Sequence, residues 1–269
     1  MIPQHIARFF PLFLLLLGAD YQDMPTPIPS RVPWVFFDLD DTLWDFSSNS
    51  LKALAVIYTD TPQLRPFYAD FKSFADAYHA INDKLWNLYH HGLISTDYLK
   101  TERFEAVTRV IPGIRDAHKL ARTMNDAYLA TLSDYPDVVD GALDLLKEVA
   151  PHCLIGILSN GFRNTQYRKL AASGLDRYVQ RMVISDEIGI QKPDKRLFDY
   201  ALQATGADRR SLVWIGDNPD ADIKGGIEAG WNTIYFNRKW IPYQGPGDPP
   251  VADTLQEVKK LLLARFRQG

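Results

Sequence analysis

Two aspartates separated by a single residue are the first candidates for chemistry. Asp38 and Asp40 lie in the segment Phe-Phe-Asp-Leu-Asp-Asp-Thr-Leu at residues 36–43. One carboxylate of such a pair can attack a phosphorus atom while the other protonates the departing alcohol. An ordinary aspartic acid has a pKa of about 3.9, so Asp40 must be kept protonated near neutral pH, and crowding by Asp38, Asp41 and bound phosphate acts in that direction. The alternative is an acidic turn in which Asp41 and Thr42 form local side-chain hydrogen bonds.

A serine at the end of an apolar run is the second candidate. Ser159 precedes Asn160 and Gly161, and the run before it is typical of a buried strand. The serine hydroxyl can donate a hydrogen bond to a phosphate oxygen, helped by backbone amides at the start of the next helix. We assign Ser159 and Asn160 to substrate binding on this basis. The alternative is an ordinary Ser-Asn-Gly turn without a ligand.

A lysine beside a proline is the third candidate. Lys192 stands just before Pro193, which is suited to begin a helix. A lysine fixed there can neutralise an attacking carboxylate and a phosphate together as a compact point charge. We therefore assign Lys192 to both catalysis and substrate binding. The alternative is a surface lysine beside a helix start.

Two aspartates five residues apart form the fourth candidate. Asp217 follows Gly216 at the end of an apolar run, and Asp222 falls on the first turn of the next predicted helix. Carboxylate oxygens suit Mg²⁺, which requires near-octahedral geometry at about 2.0–2.1 Å and keeps several waters. We expect Asp217 to bind the ion directly and Asp222 to bind it or to orient its water shell. The alternative is helix capping by Asp220 or Asp222.

The elements that must position these motifs alternate between strand and helix. The predicted strands span residues 32–38, 153–158, 179–184, 212–215 and 233–236, and the predicted helices span residues 141–149, 163–173, 194–205, 221–229 and 253–267. Such alternation implies right-handed crossovers. We predict an α/β fold, a Rossmann-like parallel sheet with helices on both faces. The four motifs then share the carboxyl-end edge of the sheet, where ligands bind in open α/β folds.

The segment from residue 45 to residue 133 has a different pattern. Apolar residues recur there at three-or-four spacing without a strand signal, which predicts about four helices. Gly92 breaks the pattern, Ser95 can cap the next helix, and Pro112-Gly113 separates two more. We predict an all-helical insert after the first strand, so that the core comprises residues 32–44 and 134–269.

Composition excludes several classes of protein. The chain has 269 residues, 46% of them hydrophobic, and a formal charge of −3 without a long run of one sign. Neither a nucleic-acid polymer nor a polybasic membrane contact is expected. Cys153 is the single cysteine, so an intramolecular disulfide is impossible, and its apolar surroundings predict an inert buried thiol.

The first 31 residues are expected to be an extension or linker. The apolar run between Phe9 and Gly18 is shorter than the roughly 20 residues that a membrane span needs. It is similar to the apolar part of a secretory signal, although the cleavage signal after it is poor. We expect a cytoplasmic protein, with natural translation from Met24 as one explanation of the run and export through it as the alternative.

The four motifs together resemble those of the haloacid dehalogenase superfamily of phosphohydrolases. The order Asp-x-Asp-x-Thr, Ser after a strand, Lys-Pro and Gly-Asp-x-x-x-x-Asp runs from about Val32 onward. In that superfamily a helical insert after the first motif is a cap that closes over the site and excludes water. The resemblance implies that Thr42 and Ser159 are hydroxyls that fix phosphate and the surrounding loop.

The resemblance also implies individual roles for the charged residues. Asp38 matches the nucleophile, Asp40 the acid/base and Lys192 the phosphate-neutralising lysine, while Asp217 and Asp222 match the metal site. In the family, magnesium also meets the side chain at the position of Asp38 and the backbone carbonyl at the position of Asp40. Members that remove halide lack the second aspartate and the metal carboxylates, so the residues here favour a phosphatase.

The substrate is indicated less directly. The sequence around the first and fourth motifs looks like that of pyrimidine nucleotidases, which implies a nucleoside 5′-monophosphate as the small-molecule partner. Trp86, Tyr89 and Phe104 in the insert can stack on a base or form the core of the cap. His90 and His91 are expected at a solvated helix end. The alternatives are a phosphatase for small sugar phosphates or 2-phosphoglycolate and a non-catalytic member that binds phosphate or a protein.

Overall fold

A computed structural model describes residues 32–109, 111–113 and 116–267. Its strands are β1 Trp34–Phe37, β2 Leu154–Ser159, β3 Arg181–Ile184, β4 Val213–Gly216, β5 Asn232–Phe236 and β6 Val251–Ala252. They form one parallel sheet in the order β3-β2-β1-β4-β5-β6, with β1 in a central position. The prediction of a Rossmann-like parallel sheet is confirmed. The short strand β6 was not predicted, because two residues are too few to show the alternation of apolar and polar side chains that indicates a strand.

Helices connect the strands and cover the sheet. In chain order they are α1 Phe46–Asp60, α2 Phe71–His90, α3 Thr96–Thr108, α4 Ala117–Leu132, α5 Ala142–Val149, α6 Arg163–Ser173, α7 Ser185–Ile188, α8 Lys195–Thr205, α9 Gly225–Glu228 and α10 Leu255–Phe266. Short 3₁₀ turns span Pro62–Leu64, Asp176–Tyr178 and Arg209–Ser211. The four-residue helix α7 was not predicted.

The central strand shows how the sheet is buried on both faces. Side chains alternate across a strand, so Val35 and Phe37 face one apolar cluster, which includes residues of α5 and α10. Trp34 and Phe36 face the other cluster, which includes residues of α8. All four side chains of β1 are buried. A strand with this environment has its carboxyl end held rigidly by packing on either side.

Among the described residues, four helices, α1 to α4, lie between β1 and α5, as the apolar spacing predicted. Each begins at a residue whose side chain accepts a hydrogen bond from the first turn: Asp45, Asp70, Ser95 and Asp116. Their shared interior is aromatic, and the ring of Tyr78 packs at 4.8 Å from that of Phe104 and at 5.3 Å from that of Tyr128. We call residues 45–133 the helical segment.

One predicted helix has a different form. The prediction placed a helix at residues 221–229, but the chain forms a π-helical turn over Pro219–Lys224 and then α9. The Asn218 carbonyl accepts from the amides of both Asp222 and Ile223, and the Asn218 side chain accepts from Asp220 and Ala221. Asn218 is therefore the cap, and the alternative in which Asp220 or Asp222 caps the helix is wrong.

The predicted extension with its apolar run, residues 1–31, lies outside the described residues. Within the part of the chain that is described, no helix is both long and apolar enough to cross a membrane. Cys153 is buried, and burial raises the pKa of its thiol to about 12. This agrees with the prediction of an inert buried cysteine.

Candidate active site

The four sequence motifs meet at the carboxyl-end edge of the sheet. Asp38 follows β1, and its amide donates to the carbonyl of Ile215 on β4 at 2.9 Å. Ser159 is the last residue of β2, and Asp217 follows β4 directly. Lys192 comes from the connection after α7. Because neighbouring parallel strands end side by side, residues far apart in the chain become neighbours in one site.

Lys192 is the centre of this site. Its Nζ lies 2.6 Å from Asp38 Oδ1 and 2.7 Å from Asp222 Oδ1, and it donates to the carbonyl of Leu158 at 3.0 Å. Only 3% of its side chain is exposed. Burial lowers the pKa of Lys192, but Asp222 and Asp38 raise it further, so the ammonium stays charged. The alternative of a surface lysine is therefore wrong.

Asn160 holds the Lys192 connection in place. Its Nδ2 donates to the Lys192 carbonyl at 2.9 Å, and its Oδ1 accepts from the Lys192 amide at 2.8 Å. This two-way bond joins the end of β2 to the residue before Pro193. The alternative of an ordinary Ser-Asn-Gly turn does not account for such a pairing.

Three carboxylates surround a space suited to a divalent cation. One oxygen each from Asp38, Asp217 and Asp222 lies within 4.8 Å of the others. Burial raises the pKa of Asp38 well above its ordinary value, and Asp222 and Asp217 add to this against the opposing effect of Lys192. Burial likewise raises the pKa of Asp217 to about 7, and Asp222 contributes. Mutual repulsion among buried carboxylates is what a bound cation would relieve.

Local structure explains how the third carboxylate enters this cluster. Asp222 Oδ2 accepts from the amide of Asn218 at 3.0 Å, inside the π-helical turn. A Cβ atom at Gly216 would lie 2.5 Å from the Asp222 carboxyl carbon. Glycine is therefore needed at residue 216 for the carboxylate to reach the strand end. All-oxygen, acidic donors of this kind fit Mg²⁺.

The turn after β1 directs its carboxylates in different directions. Asp41 has a φ of +59°, and its carboxylate accepts from the Ser47 amide and hydroxyl and lies 2.7 Å from Lys239 Nζ. Burial raises the pKa of Asp41, but Lys239 and Ser47 lower it below its ordinary value. Asp40 instead faces α6. A cation, Lys169, touches the Asp40 carboxylate, so the negative crowding expected from the sequence is not its main contact.

Two hydroxyls predicted to bind phosphate are buried beside the acids. Thr42 Oγ1 donates to Asp217 Oδ1 at 3.4 Å, and Thr42 is fully buried. Ser159 Oγ accepts from Gln166 Nε2 at 2.7 Å and from the Gly161 amide at 3.2 Å. Because Ser159 is an acceptor in both bonds, its own proton is free for a ligand oxygen.

Sequence reasoning missed several charged and polar residues of the site. Lys169 and Gln166 project from α6 to Asp40, and Lys239 after β5 lies 3.2 Å from Asp217 Oδ2. No signal in the sequence identified Lys169 and Gln166, because polar residues on a helix face are ordinarily exposed to solvent and the buried face of α6 is known only from the folded chain. Lys239 could have been found as a cation that closely follows a strand end.

Helix α2 of the helical segment packs against the loops of the site. Gln191, the neighbour of Lys192, donates to the hydroxyl of Tyr89 at 3.0 Å. Phe162, two residues after Asn160, packs at 5.6 Å from the ring of Trp86. The end of α2 therefore covers the connections that carry Asn160 and Lys192.

His90 is not at a solvated helix end. It is half-buried, and its Nε2 is shielded from solvent without a hydrogen-bond partner among the described residues. Burial lowers the pKa of His90 to about 4, and the positive charge of Lys192 acts in the same direction. The expectation holds only for His91, which is exposed. The sequence could not show which of two adjacent histidines the docked helix turns inward.

The three aromatic residues proposed for base stacking have different environments. Phe104 is fully buried against Tyr78 and Tyr128, so it belongs to the interior of the helical segment. The hydroxyl of Tyr89 is already bonded to Gln191. Trp86 is half-buried beside Phe162 and His90, at ring distances of 5.6 Å. Of the three, Trp86 is the one that is partly exposed.

Proteins to which this chain is similar in sequence and fold include several hydrolases. A family model described as haloacid dehalogenase-like hydrolase matches residues 32–230. The pyrimidine 5′-nucleotidase YjjG of Escherichia coli (strain K12) is 36% identical over 85% of this chain and 97% of its own. The pyrimidine 5′-nucleotidase PynA of Streptococcus pneumoniae is 30% identical over 76% of this chain and 83% of its own. The crystal structure of the protein YfnB of Bacillus subtilis, bound to magnesium, has a TM-score of 0.76 and 28% identity over 87% of this chain and 99% of that one.

Proposed function

The chain belongs to the haloacid dehalogenase-like hydrolase family, and from that premise we propose that it is a magnesium-dependent phosphomonoesterase that acts through a phospho-aspartate on Asp38. The observation that carries the proposal is the buried arrangement in which Lys192 contacts both Asp38 and Asp222 beside Asp217. A reaction in which a carboxylate attacks a phosphate dianion brings two negative groups together. A cation next to the attacking carboxylate reduces their repulsion. The core residues 32–44 and 134–269 would supply this chemistry, and the helical segment would act as a cap.

The first half of the reaction forms the covalent intermediate. Asp38 attacks phosphorus and forms a new oxygen–phosphorus bond, while the bond from phosphorus to the ester oxygen breaks. The departing alcohol takes a proton from Asp40. Lys192 offsets the negative charge shared by Asp38 and the phosphoryl oxygens. The Ser159 hydroxyl donates to one of those oxygens, with Thr42 beside it.

The second half returns the enzyme to its starting state. Asp40, now ionised, takes a proton from a water molecule that attacks phosphorus on the side opposite Asp38. The bond between Asp38 and phosphorus breaks, which restores the carboxylate and releases inorganic phosphate. Asn160 supports both halves by holding the Lys192 connection, which is how we propose that it serves phosphate binding.

The carboxylates fit a magnesium ion by number, chemistry and burial. Asp38, Asp217 and Asp222 would hold it through their side chains, and Asp40 through its backbone carbonyl. When bound, magnesium gathers phosphate oxygens and neutralises their charge. Removal of halide needs neither this ion nor a proton donor. The presence of Asp40 and Asp217 therefore supports phosphate-ester hydrolysis over dehalogenation.

A nucleoside 5′-monophosphate is the proposed substrate. Two relatives at 36% and 30% identity are named pyrimidine 5′-nucleotidases. The half-buried Trp86 beside the site gives an aromatic surface on which a base can stack. A sugar phosphate or 2-phosphoglycolate would make little use of that surface.

Phosphate release by the purified full chain tests this proposal. The panel contains pyrimidine and purine nucleoside 5′-monophosphates, small sugar phosphates, 2-phosphoglycolate and an aryl phosphate, each with and without magnesium. We expect the highest kcat/KM on pyrimidine nucleotides. An identically purified Asp38→Asn variant is the control for contaminating phosphatase. A higher kcat/KM on a sugar phosphate or phosphoglycolate would show that the substrate is a small phosphate ester and not a nucleotide. Equal phosphate release by the parent and Asp38→Asn would contradict the phosphatase assignment.

A further inference from the structure

Two buried side chains of one helix bind both oxygens of Asp40. Lys169 Nζ lies 2.6 Å from Asp40 Oδ1, and Gln166 Nε2 donates to Asp40 Oδ2 at 2.9 Å. Both donors come from α6, three residues apart, and therefore share a helix face. The Lys169 side chain is 4% exposed and Gln166 is fully buried. The carboxylate is thus held at both ends by a rigid element.

Gln166 also connects Asp40 to the predicted phosphate site. The same Nε2 atom donates to Ser159 Oγ at 2.7 Å. The backbone makes room for this contact, because a Cβ atom at Gly161 would lie 2.3 Å from the Gln166 side-chain carbonyl carbon. One amide group therefore fixes the distance between the acid/base carboxylate and the phosphate-binding hydroxyl.

The surroundings of Lys169 combine one carboxylate, that of Asp40, with two aromatic rings. Its Nζ lies 4.5 Å from the ring centroid of Trp44 and 5.6 Å from that of Phe46. Asp40 is its one carboxylate partner within the described part of the chain. Burying an ammonium group is unfavourable unless it is paired with a negative charge. An apolar side chain in the same aromatic surroundings would avoid this desolvation cost. A lysine here is therefore explained by what it does to Asp40.

We propose that Lys169 and Gln166 are positioning residues that hold the Asp40 carboxylate where it meets the leaving-group oxygen and, later, the attacking water. This role rests on the proposed function of Asp40 as the acid/base. An unheld aspartate samples several side-chain rotamers, whereas a clamped one stays in one of them. Displacement of a catalytic group by about 1 Å can reduce a rate by about 10²-fold.

The dependence on the leaving group separates positioning from a general structural role. An alkyl ester needs a proton on the departing oxygen, whereas an aryl ester with a good leaving group needs little. We expect Lys169→Met to lower kcat/KM about 10- to 100-fold for a nucleoside 5′-monophosphate and by less than about threefold for p-nitrophenyl phosphate. Gln166→Leu should show the same selectivity with a smaller loss, and it provides the test if Lys169→Met does not fold.

A second buried lysine serves as the matched control. Lys259 on α10 is 8% exposed and pairs with Asp144 and Glu148, which are not among the residues of the candidate site. Lys259→Met should leave the ratio of the two kcat/KM values unchanged even if it lowers the Tm. A double-mutant cycle completes the test: in an Asp40→Asn background, Lys169→Met should no longer change that ratio.

Three outcomes would overturn the role. They are an equal loss on both esters in Lys169→Met, full activity of folded Lys169→Met and Gln166→Leu, and persistence of the selective loss in the Asp40→Asn background. If the parent enzyme is active and the variants give any of these results, the positioning role is refuted and the proposed function is not. A parent without Asp38-dependent phosphatase activity would refute the proposed function and this role together.

Discussion

The carboxyl ends of the strands and the interior of the helical segment differ in how their buried charges are paired. At the strand ends, the buried charges Lys192, Asp38 and Asp222 are joined in one network. In the helical segment, the buried Arg103 donates to the uncharged Asn125, and its Nε has no partner among the described residues. Among the described residues, His90 Nε2 at the end of α2 also lacks a hydrogen-bond partner, as does Gln166 Oε1 at the strand ends.

This difference suggests a division of labour. A network whose charges are already paired is organised for one reaction, since its groups need not rearrange when charge develops. Buried donors and acceptors without partners are unfavourable by about 1–3 kcal/mol each, which a ligand with matching groups would recover. We therefore expect the strand ends to set the chemistry and the helical segment to set the choice of ester.

The largest expected effect comes from Asp38→Asn. The amide has nearly the same shape but cannot form an acyl phosphate, so kcat should fall by at least about 10³-fold for every ester tested. The measurement is phosphate release from an aryl phosphate and from a nucleotide, with the Tm as a check of folding. Asp220→Asn, which changes an exposed aspartate close to the site, should keep full activity. Substantial residual turnover in folded Asp38→Asn would contradict the assignment of the chemistry to the strand ends.

Magnesium should stabilise the protein in a pH-dependent manner. Because burial raises the pKa of Asp217 to about 7, a proton competes with the ion below that pH. The rise in Tm on adding magnesium should therefore be larger at pH 8 than at pH 5.5, and chelation should abolish turnover. Asp217→Asn should lose most of the shift in Tm, and Asp220→Asn should keep it.

The metal-free protein gives the opposite trend. The pKa of Asp217 in the folded chain lies above the value of about 3.9 in an unfolded chain. Its contribution to stability is complete below pH 4 and is lost as the pH rises to about 7. A magnesium-induced shift of equal size at both pH values would contradict the assignment of Asp217 as a ligand.

Truncating Trp86 tests whether the helical segment sets the choice of ester. Stacking of a base on an aromatic ring contributes about 1–3 kcal/mol, so Trp86→Ala should lower kcat/KM for nucleotides about tenfold or more. The same variant should hydrolyse a small aryl phosphate at nearly the parent rate. Phe104→Ala is the contrast, because this fully buried residue should lower stability by about 3–5 kcal/mol without changing the ranking of nucleotides. Equal loss on all esters in Trp86→Ala would place part of the chemistry in the helical segment.

The smallest effect is expected from the two adjacent histidines. His90→Ala should lower kcat/KM for nucleotides by about 3- to 10-fold, the scale of one lost hydrogen bond, while His91→Ala should change nothing. The pKa of His90 is lowered to about 4, so its ring is neutral and the effect should be constant between pH 5.5 and 8. An effect that appears only as the pH falls below 6.5 would show that a charged imidazole is involved instead.

Three of the residues predicted from the sequence are ones that topology alone brings together. Asp38, Ser159 and Asp217 end or follow parallel strands, and such ends meet at one edge whatever the details of packing. Lys169 and Gln166 could not be assigned in this way. They contact Asp40 across 129 and 126 residues of chain, and the contact depends on how α6 docks. Polar residues on a helix face are ordinarily solvated, so their burial is visible only in the folded molecule.

Boundaries and orientation were the other parts that sequence could not supply. The π-helical turn at Pro219–Lys224 depends on one carbonyl, that of Asn218, accepting two amides. Its effect is to bring Asp222 within 2.7 Å of Lys192. Likewise, the inward turn of His90 depends on where α2 meets the Gln191 connection. Local periodicity predicts that such helices exist but not which side chain faces the site.

Direct detection of a phosphoryl group on Asp38 is the most incisive test of the account. An Asp40→Asn variant retains the nucleophile but lacks the base for water attack, so a good leaving group should allow the intermediate to accumulate. The variant would be mixed with p-nitrophenyl phosphate and magnesium, quenched in acid, digested, and its peptides fragmented by mass spectrometry. We predict one phosphoryl group on Asp38, absent when Asp38 is also replaced by Asn. A burst of nitrophenol without phospho-Asp38, or a phosphoryl group on another residue, would contradict the proposed mechanism.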